Sequence, residues 1–360
     1  MSKVVGHMRR VGIDKLKKDM VLAKPIYTIN GVILLKEGTL LTEKFIEKIH
    51  DIDVDYIYIK DEISEGIEIE ALISEETVLS TKKALEDSME KMRKGYFSAS
   101  QSIVEKVDAV ISEVVANPHV MVSLQEIRSR DEYLHMHSIN VCVISLLIGK
   151  KLNYNDAQLK HLALGAILHD VGKTQIKYDV IRYREDYVDK EYKIYKEHVR
   201  LGYEMIKSIP ESSLLAANIA LTHHEHYDGT GFPLGKKNTS IHEFSRIVAV
   251  ANEYDNLLYN LPKDTHMRHY EIVEMIVSRA YTWFDPEIIK IFRRSISPYP
   301  VSTGVVLNDG RIGIVARLNE DFPTRPVIRI IDEASMAVMG EVDLSVSLNT
   351  LIVDEKEIDK

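Results

Sequence analysis

The chain has 360 residues, 45% of them apolar, which is enough for a substantial core and for more than one typical domain. Its 46 Lys and Arg against 55 Asp and Glu give a formal charge of -9, which disfavours a binder of nucleic-acid polymers or of anionic membranes through a basic stripe. No segment approaches the ~20 apolar residues of a membrane span, the start MSKVVGHMRRVGID lacks a signal-peptide core, and Cys142 lies in an apolar string; a cytoplasmic protein with a buried thiol is expected.

In chain order, residues 1–70 read as a small α+β module. MVLAKPIYTI and VILLKEG flank Asn30-Gly31, a hairpin signal because both positions tolerate positive φ. Leu41 to Ile49 then reads as a helix with Thr42 as its N-cap, and VDYIYIKD as an alternating strand. Residues 71–118 turn helical, as in Ile103, Val107, Val110, Ile111 and Val114, up to Asn117-Pro118; they are expected to link the flanking parts and to offer a homodimer surface. Residues 119–297 are predominantly helical and hold all the candidate chemistry, and 298–360 read as a small β appendage. In that appendage TGVVLNDGRIGIVARL gives two strands around Asp309-Gly310, and RPVIRII a third.

A metal centre needs neutral imidazoles and ionised carboxylates converging from rigid elements, and His137, His169, Asp170, His198, His223 and His224 are the natural candidates. Helical neighbours point about 100° apart, so Asp170 after His169 is expected at a helix end or kink, where its two oxygens can bridge two ions. His161, His242, His266 and His269 read instead as surface or core histidines, and Asp228 as the shaper of a turn before Gly229. The charged run at 183–198 is simplest as a solvated helix face, or as part of a substrate rim.

The strings HSINV (137–141), LHDVGK (168–173), EHVRLGYEMI (197–206), HHEHYDGTGFPLG (223–235), RIVAVANEYDNL (246–257) and FDP (284–286) occur in one order. In that order they resemble an HD-GYP domain, the branch of the HD phosphohydrolase superfamily associated with cyclic di-GMP phosphodiesterases of bacterial second-messenger signalling. The resemblance covers about half the chain and implies a predominantly α, HD-type helical bundle between the two smaller modules. It implies a hydrolase with two divalent transition-metal ions, iron or manganese, held by His137, His169, Asp170, His198, His223 and His224, with Asn252 where the family usually carries a metal-binding Asp. Asp170 would bridge the ions, and a metal-bridging hydroxide would open cyclic di-GMP to pGpG and onward to GMP. Lys173 would join Asp170 in catalysis by contacting the substrate phosphate, with Gly231, Phe232 and Pro233 of the GTGFP loop at the substrate, while Asp255 and Glu225 would hydrogen-bond the ligands rather than bind metal.

The chain departs from the family pattern in three places. Phe232 replaces a tyrosine and drops its hydroxyl, Asn252 is a neutral amide, and Leu261-Pro262 stands where relatives have an Arg-Pro phosphate clamp, with Lys263 or Arg268 as candidate substitutes. Tyr133 occupies a position where some relatives have a Glu for a third metal, which implies two metals here. These departures leave two alternatives open: a module that binds a cyclic dinucleotide or protein partner without turnover, and a phosphodiesterase for a mixed cyclic GMP-AMP dinucleotide.

Overall fold

The structure is a computed structural model that describes residues 4–27, 33–51, 56–96, 101–117, 133–177, 189–209, 213–259 and 267–358. Its N-terminal part comprises β1 (Val4–His7), β2 (Arg9–Gly12), β3 (Val21–Leu22), β4 (Ile26–Tyr27), β5 (Ile33–Leu35), α1 (Glu43–His50), β6 (Tyr56–Lys60) and β7 (Glu68–Glu70). Asn30-Gly31 lies outside the described residues, and the strands on either side of it, β4 and β5, pair antiparallel. Thr42 caps α1 by accepting from the Phe45 amide. β6 is the middle of an antiparallel sheet ordered β2-β6-β3, and it buries Ile57, Tyr58 and Ile59 in succession. The expected alternation is lost because both faces are covered, Tyr58 by one hydrophobic cluster and the two isoleucines by another.

The helical part runs α2 (Glu75–Arg93), α3 (Gln101–Ala116), α4 (Tyr133–Lys151), α5 (Asp156–Leu168), α6 (Asp189–Lys196), α7 (His198–Lys207), α8 (Leu214–Thr222), α9 (Glu243–Tyr259), α10 (His269–Ser278) and α11 (Pro286–Ser295). α4 is buried continuously from Met136 to Gly149, as befits a helix that is apolar on all sides at the centre of a bundle. Leu85 and Met89 of α2 and Val107 and Val110 of α3 share one core with Ile144 of α4 and Leu162 of α5. The helices expected to link or to dimerise therefore use these apolar faces within the chain. Among the described residues no helix is long and apolar enough to cross a membrane.

The C-terminal part is an antiparallel sheet ordered β11-β10-β9-β8-β12, built from β8 (Gly304–Leu307), β9 (Ile312–Arg317), β10 (Val327–Ile331), β11 (Val338–Asp343) and β12 (Ile352–Glu355). The β8 to β9 connection turns at Asp309-Gly310, where Gly310 takes a φ of +84°. β11 escapes a reading by alternation because most of its residues are exposed. This sheet shares a core with the N-terminal strands, in which Met8, Tyr58 and Ile67 pack with Ile312, Ile314 and Ile331. The buried Arg9 fastens the two ends by donating from Nε to Asp61 at 2.6 Å and from Nη1 to the Ile358 carbonyl at 2.7 Å. Arg329 of β10 donates to the Ile63 carbonyl at 2.9 Å. The two modules that flank the helices in sequence are thus packed against each other.

Candidate metal centre

The site is made from helix ends and from the buried faces of α4 and α9. His169 is the C-cap of α5 in helical geometry (φ -52°, ψ -35°), and Asp170 leaves it (φ -100°, ψ 7°) to open a 3-10 turn over Val171–Gln175. That break lets two adjacent side chains serve one centre. The turn packs on α7 at Gly172, where a Cβ would lie 2.0 Å from the His198 carbonyl and 2.6 Å from the Gly202 amide. His198 begins α7, His223 is the C-cap of α8 with His224 following, and α9 brings Asn252 and Asp255 to His137 of α4.

Asp170 lies between two sets of imidazoles. Its Oδ2 faces Nε2 of His169 at 3.3 Å and of His137 at 3.5 Å, while its Oδ1 faces Nε2 of His198 at 3.4 Å and of His223 at 3.6 Å. The donor atoms of His137, His169 and Asp170 lie within 4.8 Å of one another, and so do those of Asp170, His198, His223 and His224. Donors about 2.1 Å from a shared ion sit roughly 3.0–3.4 Å apart, close to these spacings and beyond the usual hydrogen-bond length.

The imidazoles are also held in the required tautomer. Nδ1 of His169 donates to the Ala166 carbonyl at 2.7 Å, that of His198 to the Tyr195 carbonyl at 2.6 Å, and that of His223 to the Ala220 carbonyl at 3.0 Å. A carbonyl only accepts, so the proton sits on Nδ1 and the Nε2 lone pair points at Asp170. His137 follows the same plan with the Asp255 carboxylate as acceptor at 2.7 Å. Among the described residues, His169 Nε2 and Asp170 Oδ1 are buried without a hydrogen-bond partner, a cost that a coordinated cation removes. The donor set fits divalent metal on these grounds.

Electrostatics agree. Burial holds His198 well below the usual histidine range and pushes His223 down to about 4, so both are neutral at physiological pH. Burial alone would raise Asp170, but the electrostatic influence of the neighbouring His169 and Lys173 outweighs it and keeps the carboxyl well below its usual range. His137 is the exception: burial opposes the proton, but the carboxylates of Asp170 and Asp255 overcome it and raise the pKa.

The other expected residues divide. Asn252 Oδ1 lies 3.0 Å from His137 Nε2 and accepts from Asn256 Nδ2 at 3.1 Å, so its carbonyl is presented to the centre. Asp255 orients His137 and in turn accepts from Asn140 Nδ2 at 2.5 Å. Lys173 Nζ is 2.5 Å from Asp170 Oδ2. Glu225 differs from expectation: it accepts from the Leu234 amide at 2.6 Å and the Lys236 amide at 2.9 Å, so it braces the following loop. In that loop a Cβ on Gly231 would meet the His226 amide at 2.2 Å, Phe232 stacks on His224 (centroids 4.7 Å, planes 16° apart), and Pro233 follows a cis peptide. Asp228 shapes the turn by accepting from the Thr230 amide at 2.9 Å.

Leu261, Pro262, Lys263 and His266 lie outside the described residues, as does the side chain of Tyr133. Arg268 pairs with Asp354 of β12, so its charge is engaged by the β sheet. Sequence reasoning missed Asn140, Asn256 and Tyr195. The first two were findable, lying one turn after His137 and Asn252 on the same helix faces.

The profile of the HD domain matches residues 121–288, and that of a KOW domain associated with HD domain matches 304–359. The chain is 28% identical over 235 residues to a cyclic di-GMP phosphodiesterase of Pseudomonas aeruginosa, covering 64% of this chain and 56% of that one. It is 30% identical over 164 residues to a cyclic di-GMP phosphodiesterase of Thermotoga maritima, 45% of each chain. It is 26% identical over 172 residues to a 3'3'-cGAMP-specific phosphodiesterase of Vibrio cholerae, 48% of this chain and 37% of that one. The chain spans about half the length of the first two curated relatives it matches. A solved HDG"Y"P protein from Bdellovibrio bacteriovorus aligns with a TM-score of 0.46 and 16% identity over 79% of this chain and 98% of that one.

Proposed function

We propose that this chain, whose residues 121–288 match the HD domain, is an HD-GYP domain protein that hydrolyses cyclic di-GMP to pGpG and onward to GMP at a two-metal centre. The observation that carries the reading is Asp170, whose two oxygens address two separate histidine sets. One ion would be held by His137, His169 and Asp170 with the Asn252 carbonyl, the other by Asp170, His198, His223 and His224. Bound divalent ions supply Lewis-acid stabilisation of phosphate oxygens and a water acidified to near neutrality. An imidazole-rich set with two carboxylate oxygens suits iron or manganese better than magnesium.

The chain's own residues contribute orientation and charge. Nδ1–H bonds to backbone fix three of the imidazoles, so they need no rearrangement to bind. Lys173, buried beside Asp170, adds a cation where phosphate charge grows during phosphorus–oxygen cleavage. The same reading places the protein in the cytoplasm, where the buried Cys142 stays a thiol.

The test is incubation of iron- or manganese-loaded protein, reduced and anaerobic as well as in air, with cyclic di-GMP, followed by chromatography of the products. Asp170→Ala serves as the inactive control. Absence of turnover with either metal refutes the proposal. The neutral Asn252 at a ligand position favours a second reading, binding without turnover, which calorimetry with cyclic di-GMP and mixed cyclic GMP-AMP separates from the first.

A further inference from the structure

We propose that Tyr195 contacts the substrate in this centre, donating its phenol hydroxyl to a phosphate oxygen; the nature of the substrate rests on the reading above. Tyr195 stands out on α6, where Tyr192 is 38% and Ile194 40% exposed while Tyr195 is 3% exposed. A buried phenol keeps its hydroxyl only where that group has polar work. Here Oη reaches His224 Nε2 at 3.4 Å, and His224 is grouped with Asp170, His198 and His223 as a set that could hold an ion. Were an ion held by that set, it would attract an anionic phosphate toward the place the hydroxyl faces.

The hydroxyl is held there by the ligands themselves. The Tyr195 carbonyl accepts from His198 Nδ1 at 2.6 Å, and the two rings pack with centroids 4.8 Å apart. Lys173 Nζ lies 5.5 Å from the centroid of the Tyr195 ring, so an ammonium and a phenol flank the same centre. Phe232 stacks on His224 and carries no hydroxyl. Tyr195 therefore supplies from α6 a donor that the GTGFP loop does not supply from Phe232.

The experiment compares the manganese-loaded full chain with Tyr195→Phe, which removes one oxygen, and Tyr195→Met, which fills the space without a donor. Metal per chain is measured by mass spectrometry and the dissociation constant for inorganic phosphate by calorimetry, with thermal melts confirming the fold. We expect unchanged metal content and phosphate binding about tenfold weaker in both variants, the loss of one hydrogen bond to a charged group. Unchanged phosphate affinity, or no metal-dependent phosphate binding by the parent chain, overturns the proposal. So does a fall in metal content, or a visible phenolate-to-iron charge-transfer band in the ferric parent that is lost in Tyr195→Phe, since either makes Tyr195 a support or ligand of the metal. Because phosphate binding needs no turnover, failure to hydrolyse cyclic di-GMP is read separately.

Discussion

Replacing Gly172 by alanine should disable one half of the metal centre while sparing the other. The new Cβ would sit 2.0 Å from the His198 carbonyl, against an ordinary contact of 3.4 Å, so the start of α7 must retreat by about 1.4 Å. His198 Nε2, now 3.4 Å from Asp170 Oδ1 and 3.5 Å from His223 Nε2, moves with it. Coordination bonds tolerate about 0.2 Å, so the set formed with His223 and His224 cannot close, whereas His137 and His169 do not depend on that contact. Overpacking of this kind costs roughly 1–3 kcal/mol, or a melting point lower by about 2–10 °C. The assay is metal quantification after dialysis, with thermal unfolding in manganese and in chelator. Bound metal should fall from two equivalents to about one, and manganese should raise the melting point less than in the parent. Two equivalents held with parental affinity at an unchanged melting point would refute the reasoning, because the close approach at Gly172 would then not govern ligand placement.

The other expectations follow from the same contacts. Asp170→Asn should lose both ions because Asp170 belongs to both donor sets, whereas His224→Ala should keep about one equivalent; equal losses in the two variants, by mass spectrometry, contradict a shared carboxylate. Asn252→Asp places a third carboxylate beside Asp170 and Asp255 at His137, so the metal-free form should melt lower and the affinity for one ion, measured by chelator competition, should rise at least tenfold. Burial pushes His269, between the Tyr254 hydroxyl and the Pro298 carbonyl, down to about 4, against about 6.5 in an unfolded chain. The unfolded state therefore takes up the proton first, and stability present above pH 6.5 is lost as pH falls toward 4, by on the order of 2 kcal/mol for this half-buried ring. Urea unfolding at pH 7 and pH 5 should show a smaller loss in His269→Gln than in the parent.

The ligands of this centre were legible because each sits in a short string whose residue types have little other reason to occur together, as in LHDVGK and HHEHYDGTGFPLG. Their partners were not, because a residue that orients a ligand is marked by burial rather than by type. Tyr195 lies in DKEYKIYKEH, whose charges describe a solvated helix; only the placement of α6 beside His198 and His224 turns one of its tyrosines inward. Glu225 shows the reverse error, since adjacency to His223-His224 suggested a role at the ligands while two backbone amides of its own loop claim both its oxygens. At the chain ends the obstacle was distance along the sequence. Arg9 looks like an ordinary surface cation until its guanidinium is seen to satisfy the carbonyl of Ile358, 349 residues away, and its burial is tolerable only because Asp61 neutralises the charge on the spot. The strings VDYIYIKD and RPVIRII read as strands from their apolar residues, but a hydrophobic pattern says that a face is covered and not by what. The cover here is the other terminus, so the two small modules stabilise each other, and the fold of each is expected to depend on the helical bundle that holds the ends of the chain within reach.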